Sequence, residues 1–170
     1  MSHYLAIVII EDENMPRKQV ADLMAPFDEK DEQAYSEHRT FWDWYRIGGR
    51  WDGVLLTDRE TWEKDACSIC GGDRDAAIHE QIERNMVRLA DLPEDFHAYR
   101  IVFPDGRTIS QRHADNCDQC RHHLGGNASY WEWKALGHPW DIPDELWLPT
   151  MRQALIGYHN CWAVAVDYHV

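Results

Sequence analysis

The stretch Tyr4-Leu5-Ala6-Ile7-Val8-Ile9-Ile10 is the part of the sequence from which the fold can be worked out. It is short, apolar and rich in β-branched residues, a pattern typical of a strand in the middle of a sheet. A second apolar run, Cys161–Tyr168, predicts another strand near the other end of the sequence. Strands with helices between them predict a single α+β domain over residues 1–170, with an antiparallel or mixed sheet. A ferredoxin-like arrangement is the preferred version.

Three segments between these runs have helical signals. Asn14 is predicted to cap a helix that has Pro16 in its first turn and stops at Pro26. A second helix is predicted from a cap at Asp73 to about residue 89, and a third between about residues 143 and 156. These helices would cover the apolar faces of the sheet.

The segment from Phe41 to Leu56 has the pattern of a β-hairpin with Gly48-Gly49 at its turn. Two glycines suit a two-residue turn with positive φ at both positions. The resulting register would pair Arg46 with Trp51 and permit a cation–π contact between them. One face of this hairpin would then carry Trp42, Trp44, Arg46, Trp51 and Leu55.

Two Cys-x-x-Cys pairs predict a metal site, and they are Cys67, Cys70, Cys117 and Cys120. Four thiolates form a closed tetrahedral site, so we expect one structural Zn²⁺ with no position left for substrate. One of the nearby histidines His113, His122 and His123 could replace a cysteine ligand. Residues 67–120 would form a zinc-clamped insert of one helix and one hairpin, the hairpin turning at Pro104-Asp105-Gly106.

Composition and charge narrow the class of protein. The 170 residues carry a formal net charge of −13 and no run of Lys or Arg, which argues against direct nucleic-acid binding. We find no apolar run long enough to cross a membrane and no secretory signal pattern, so a cytoplasmic location is expected. Reduced thiols in that compartment favour metal binding over disulfides, and Cys161 is expected to be a buried thiol.

The aromatic hairpin also supplies the candidate binding surface. In the purely structural interpretation, the hairpin is part of the core, because Trp buries a large apolar area. In the functional interpretation, guanidinium groups and flat indoles hold a host protein or a small nucleotide-like ligand. The residues predicted for this contact are Trp42, Trp44, Arg46, Arg50 and Trp51. Separately, His159 and His169 near Asp167 could form an acid–base group.

The stretch Trp42-Asp43-Trp44-Tyr45-Arg46-Ile47-Gly48-Gly49-Arg50-Trp51 resembles a motif of uncharacterised proteins common in phages and prophages. Two further pieces, Leu23–Glu29 and the closing Val166–Val170 with its Asp-x-His, are similar to segments of the same proteins. The cysteine pairs are not a general feature of that group. The resemblance implies a phage setting, with a host-takeover or counter-defence role, and no particular reaction.

The leading functional expectation is therefore a zinc-stabilised, non-enzymatic binding module of phage type, inhibiting a host component or sequestering a ligand. One alternative is an enzyme acting on a nucleotide or phosphoester, with Arg46 and Arg50 binding the anion and Asp167 or His169 transferring protons. A second alternative is a small virion or assembly component. The sequence leans against an enzyme, because it holds no nucleophile elbow, metalloprotease motif or phosphate loop.

Overall fold

A seven-stranded mixed sheet forms the centre of the computed structural model, which describes residues 3–37, 39–56, 82–111, 141–142 and 144–169. The strands are β1 His3–Ile10, β2 Trp44–Ile47, β3 Met86–Arg88, β4 Arg100–Val102, β5 Thr108–Gln111, β6 Asp141–Ile142 and β7 Trp162–His169. The helices are α1 Pro16–Met24, α2 Glu32–Ser36, α3 Ile82–Asn85 and α4 Asp144–Leu155. The predicted α+β class with a mixed sheet is confirmed.

The two apolar runs of the sequence lie side by side as β1 and β7. They pair antiparallel over their whole length, from His3 opposite His169 to Ile10 opposite Trp162. Residues Leu5–Ile10 of β1 are all buried, because both faces of the sheet are covered. This burial on two sides explains why β1 is continuously apolar instead of alternating.

The remaining strands extend the sheet on either side of this pair. Strand β4 lies parallel to β1, β5 is antiparallel to β4, and β6 is parallel to β5. On its other edge, β7 pairs with both β2 and β3, which follow one another along the strand. A ferredoxin-like sheet places another strand between its two parallel strands. Since β1 and β4 are direct neighbours, that part of the prediction is wrong.

Two apolar clusters cover the opposite faces of the sheet. On one face, Trp147 and Met151 of α4 pack against Leu5, Ile7 and Ile9 of β1. The indole Nε1 of Trp147 donates to the carbonyl oxygen of Ala98 at 2.7 Å, which satisfies its buried polar atom. On the other face, Val20 and Met24 of α1 pack against Ala6, Val8 and Ile10. We call these the α4 face and the α1 face.

The predicted hairpin between residues 41 and 56 is not formed. Both glycines do have positive φ, 75° at Gly48 and 54° at Gly49, as the sequence suggested. The chain then enters a 3-10 turn at Gly49–Trp51 and does not fold back on β2, so Arg46 pairs with Asp167 and not with Trp51. The long open edge of β7 takes β2 as its partner, and the glycines serve to bring the turn close to that strand.

Two helix predictions also need correction. Asn14 does not cap α1: Met15 precedes the helix without a side-chain bond, and Asn14 bonds instead to Asp12. The helix predicted to reach residue 89 ends at Asn85 as α3, and Met86–Arg88 forms β3. The third predicted helix corresponds to α4.

The hairpin predicted around Pro104-Asp105-Gly106 is confirmed as β4 and β5. Its turn is closed by hydrogen bonds between the N–H of Phe103 and the carbonyl of Arg107, and between the N–H of Gly106 and the carbonyl of Phe103. Gly106 has a φ of 85°, which glycine adopts without steric cost.

The predicted metal ligands lie outside the described residues, and they are Cys67, Cys70, Cys117 and Cys120 together with His113, His122 and His123. Within the described ranges, no group of three or more His, Cys, Asp or Glu side chains is placed to hold a metal ion. The zinc-clamped insert over residues 67–120 therefore stays a prediction. In the same described ranges, no helix is long and apolar enough to cross a bilayer.

Candidate functional site

Polar side chains replace apolar ones at one end of the α4 face. Strand register places His3, His169 and Trp44 in one row across β1, β7 and β2. The next row holds Leu5, Asp167 and Arg46. Because directly paired residues of antiparallel strands project from the same face, these polar side chains converge. We define the histidine–aspartate cluster as His3, Asp43, Asp167 and His169.

Asp167 is the buried centre of the cluster. Its residue exposure is 1%, and its carboxylate accepts two hydrogen bonds. His3 Nδ1 donates to Oδ1 at 2.9 Å, and the backbone N–H of Arg50 donates to Oδ2 at 2.9 Å. A carboxylate removed from water needs such partners, because desolvation without them is costly. Asp167 therefore fixes the His3 ring and ties the 3-10 turn to β7.

Gly49 makes the bond between Arg50 and Asp167 possible. A Cβ atom at this position would lie 2.5 Å from the Cβ of Asp167, closer than real side chains approach. Its neighbour Gly48 has the same role against Asn85, whose side-chain Nδ2 would lie 2.6 Å from an added Cβ. The Gly-Gly pair thus allows two buried polar side chains to contact the turn.

Asn85 is a fully buried polar residue that holds the same turn from α3. Its Oδ1 accepts from the N–H of Gly53 at 3.0 Å, and its Nδ2 donates to Asp52 Oδ1 at 2.7 Å. Arg84 adds an ion pair to Asp52 at 3.4 Å. The loop that follows β2 is therefore positioned by hydrogen bonds as well as by packing.

His169 forms the second half of the cluster. Its Nδ1 donates to Asp43 Oδ1 at 2.7 Å, and the Asp43 N–H donates to the His169 carbonyl at 3.1 Å. The ring centroids of His169 and His3 are 5.3 Å apart. Among the described residues, His169 Nε2 is buried and has no hydrogen-bond partner. An unsatisfied buried polar atom costs about 1–3 kcal/mol, so His169 Nε2 reduces the stability that the hydrogen bonds of the cluster contribute.

Trp44, Arg46 and Arg50 border the cluster, Arg50 through its backbone N–H. Trp44 is 38% exposed, and its ring lies 5.9 Å from that of His3. The Arg46 Cζ lies 5.4 Å from the Trp44 ring, a cation–π contact in place of the one predicted with Trp51. Arg50 is exposed and forms no ion pair within the described ranges. The border thus supplies a flat aromatic surface and positive charge.

The five residues predicted as one contact surface do not share one face. Trp44, Arg46 and Arg50 lie at the cluster, but Trp42 packs on the α1 face, where its Nε1 donates to the Met24 carbonyl at 2.9 Å. Trp51 is partly buried against the apolar cluster of the α4 face. Both tryptophans therefore pack partly into the core, and their role in binding stays a prediction.

The predicted acid–base group is partly assembled. Asp167 and His169 do lie together, while His159 is exposed and follows the turn at Ile156–Tyr158, before β7 begins. Sequence reasoning missed His3 and Asp43. For Asp43 the available signal was an acidic residue between the two tryptophans of the motif. For His3 it was the polar start of β1, which the pairing of β1 with β7 places beside His169.

No family model, curated protein or solved structure matches this chain. The chemistry of the cluster follows from its side chains. Two imidazoles each donate through Nδ1 to a carboxylate, an arrangement that fixes the ring and directs Nε2 to another partner. With Arg46, Arg50 and Trp44 at its border, the cluster is suited to hold an anion that carries an aromatic ring.

Proposed function

We propose that this protein binds a small nucleotide-like ligand at the histidine–aspartate cluster. The observation that supports this most directly is the pair of carboxylate-held imidazoles, His3 and His169, beside the exposed ring of Trp44. A ligand phosphate would bind at the imidazole side of this surface, and a base would stack on the indole. Both contacts are available on one face, within the width of three adjacent strands.

The charge distribution supports a small ligand instead of a polynucleotide. The net charge of −13 repels an extended phosphate backbone, and the sequence has no basic run to offset it. Arg46 and Arg50 offset the two carboxylates of the cluster, Asp43 and Asp167, so a small anion meets less repulsion here than over the chain as a whole. A ligand with a single phosphate suits this balance better than one with several.

We also propose that one structural Zn²⁺ is held by the four paired cysteines, for which their spacing is the support. The phage setting implied by the sequence resemblance would make the protein an accessory factor. Its target would be a nucleotide of the host cell or a host protein that presents one.

The proposal is tested by titrating the zinc-loaded full chain with AMP and, in parallel, with inorganic phosphate. We expect AMP to raise the melting temperature and quench tryptophan fluorescence, and phosphate to bind more weakly because it cannot stack. Trp44→Ala and Arg46→Ala should each weaken AMP binding at least tenfold. The control Arg107→Ala removes an exposed arginine that contacts Phe103, away from the cluster, and should leave binding unchanged.

Small molecules extracted from freshly purified protein provide an independent check by mass spectrometry. A protein that carries no nucleotide from the cell and shows no thermal shift with millimolar AMP does not have the proposed site. Retention of a host protein by that same preparation would then favour the inhibitor interpretation.

A further inference from the structure

We infer that a cleft on the α4 face binds a small aliphatic molecule with a single carboxylate group, of the chemical class of a medium-chain fatty acid. The cleft lies between α4 and residues 89–96, and it shares no residue with the histidine–aspartate cluster. This site is additional to the proposed function and does not depend on it. The juxtaposition that carries the inference is an apolar cavity of about 460 Å³ with the guanidinium group of Arg152 at its rim.

Two successive turns form the wall of the cleft that faces α4. The N–H of Leu89 donates to the Cys161 carbonyl at 3.0 Å, which fixes the start of this segment beside β7. The 3-10 turn Leu89–Asp91 follows, and a second turn is closed by a bond of 3.0 Å from the Phe96 N–H to the Pro93 carbonyl. The segment therefore passes α4 without forming a strand or an α-helix along it, and an opening remains between the two.

The cavity is apolar and has the size of a ligand site. Its volume of about 460 Å³ is within the range of about 300–1,000 Å³ found for small-molecule pockets. The apolar residues that line it are Leu89, Leu92, Pro93, Phe96, Met151 and Leu155. Leu92 and Leu155 are half-buried, so their side chains still expose apolar surface. A hydrocarbon chain in the cleft would remove that surface and its own from water.

Arg152 gives the cleft a positive charge that the fold itself does not neutralise. Its Nη2 donates to the backbone carbonyl of Glu94, on the opposite wall, at 3.4 Å. Among the described residues Arg152 forms no ion pair, although the Glu94 side chain also lines the cleft. A guanidinium group has five N–H donors, so most of them stay available to a ligand. A carboxylate matches this planar group with two parallel hydrogen bonds.

The charges at the rim favour one carboxylate over other head groups. Glu94 is exposed and repels anions, so a head group with two negative charges is opposed more strongly than one with a single charge. Arg152 repels an ammonium head group from the place where its hydrogen bond to Glu94 holds the guanidinium group. Met151 and Leu155 lie one turn apart on α4, and Arg152 projects beside them, so the hydrocarbon and the head group have separate places.

The test compares decanoate, decanol and decylamine by NMR of the full chain, labelled with ¹³C at the methionine methyl groups. Met151 is 1% exposed and lines the cleft, whereas Met24 packs on the α1 face and serves as the internal control. We expect decanoate to shift the Met151 signal and to bind at least about threefold more tightly than decanol or decylamine. Octanoate, with two methylenes fewer, should bind about tenfold more weakly than decanoate, since each buried methylene strengthens binding about threefold to fourfold.

Three variants separate the head-group contact from the cavity. Arg152→Met keeps an unbranched stem without the charge, so it should weaken decanoate binding at least about threefold and leave decanol binding unchanged. Arg39→Met is the matched control, because Arg39 pairs with Glu37 outside the cleft, and it should bind decanoate as the unaltered protein does. Leu92→Trp should fill the opening and abolish binding of all three probes.

Decanol or decylamine bound by the unaltered protein as tightly as decanoate overturns the inference, as does the absence of a Met151 shift with every probe. Both results come from the unaltered chain, so they stand even where a variant does not fold. Equal shifts at Met151 and Met24 would indicate adsorption without a site and overturn it too. Tighter binding of N-acetyl-leucyl-leucine than of decanoate would overturn it by assigning the cleft to a peptide terminus. Since none of these results concerns AMP binding at the histidine–aspartate cluster, this inference and the proposed function fail separately.

Discussion

Gly49→Ala is the substitution that most directly examines how the turn after β2 is built. Gly49 has a φ of 54°, and an added Cβ would lie 2.5 Å from the Asp167 Cβ. The methyl group therefore cannot be accommodated unless Asp167 or the turn moves. Either movement separates the Asp167 carboxylate from the Arg50 N–H, with which it now bonds at 2.9 Å.

The expected loss of stability has two parts. Holding alanine at a left-handed backbone conformation costs about 1–2 kcal/mol. Displacing the buried carboxylate weakens charge-assisted hydrogen bonds, each of which contributes about 1.5–3 kcal/mol. Together these predict a decrease of about 2.5–5 kcal/mol in the free energy of unfolding, a large part of the 5–15 kcal/mol typical of a domain.

The measurement is urea denaturation of the zinc-loaded protein, with Gly106→Ala as the matched control. Gly106 also has positive φ, at 85°, but an added Cβ would meet nothing within 4 Å. The control should therefore lose only the conformational part, about 1–2 kcal/mol. Equal losses in the two variants would show that contact with Asp167 is not what Gly49 is needed for, and our account of the turn would be wrong.

Three other outcomes are expected. Asn85→Ala should lower the free energy of unfolding by about 1–3 kcal/mol, because the buried N–H of Gly53 loses its acceptor; an unchanged stability in urea denaturation would contradict this. Metal analysis by mass spectrometry should find about one zinc per chain, and Cys67→Ser should abolish tight binding; zinc retained at full stoichiometry by the variant would count against the predicted ligand set. Cys161, predicted to be a buried thiol in a strand, is only partly buried and lies just before β7. Its partial burial, and secondarily the charge of Glu11, raises the pKa of the thiol, so at pH 7 it should react with iodoacetamide more slowly than free cysteine. The folded protein keeps the thiol proton at pH values where the unfolded chain has lost it. The stabilisation linked to the raised pKa is therefore complete below the ordinary thiol pKa and declines as the pH rises through the raised pKa. Labelling as fast as that of free cysteine would refute the effect of burial.

The sheet could be predicted from the sequence where the signal is local and strong. Continuous apolar runs gave β1 and β7, and the turn residues gave the β4–β5 hairpin. The prediction of a hairpin at Gly48-Gly49 was wrong because a Gly-Gly pair has two uses. It can form a two-residue hairpin turn, or it can let the backbone lie close to other side chains. Sequence pattern does not distinguish these, since the approach is to Asn85 and Asp167, which lie far along the chain.

The candidate site was predictable only in fragments for the same reason. Asp167 and His169 stand near each other in the sequence, so their grouping was visible. The partner of His3 lies 164 residues away and that of His169 lies 126 residues away. Which side chains meet over such distances depends on strand order and register, and a shift of one residue would turn them to opposite faces.

The pairing of β1 with β7 also sets the order of events during synthesis. Strand β1 emerges from the ribosome while its antiparallel partner, more than 150 residues later in the register, has yet to be translated. At typical elongation rates this delay lasts roughly 10–30 s. During that interval the Ile7-Val8-Ile9-Ile10 segment cannot form the backbone hydrogen bonds that it makes with β7 in the folded protein. It is consequently an exposed apolar segment of the kind that nascent-chain chaperones shield and from which aggregation starts when translation stalls.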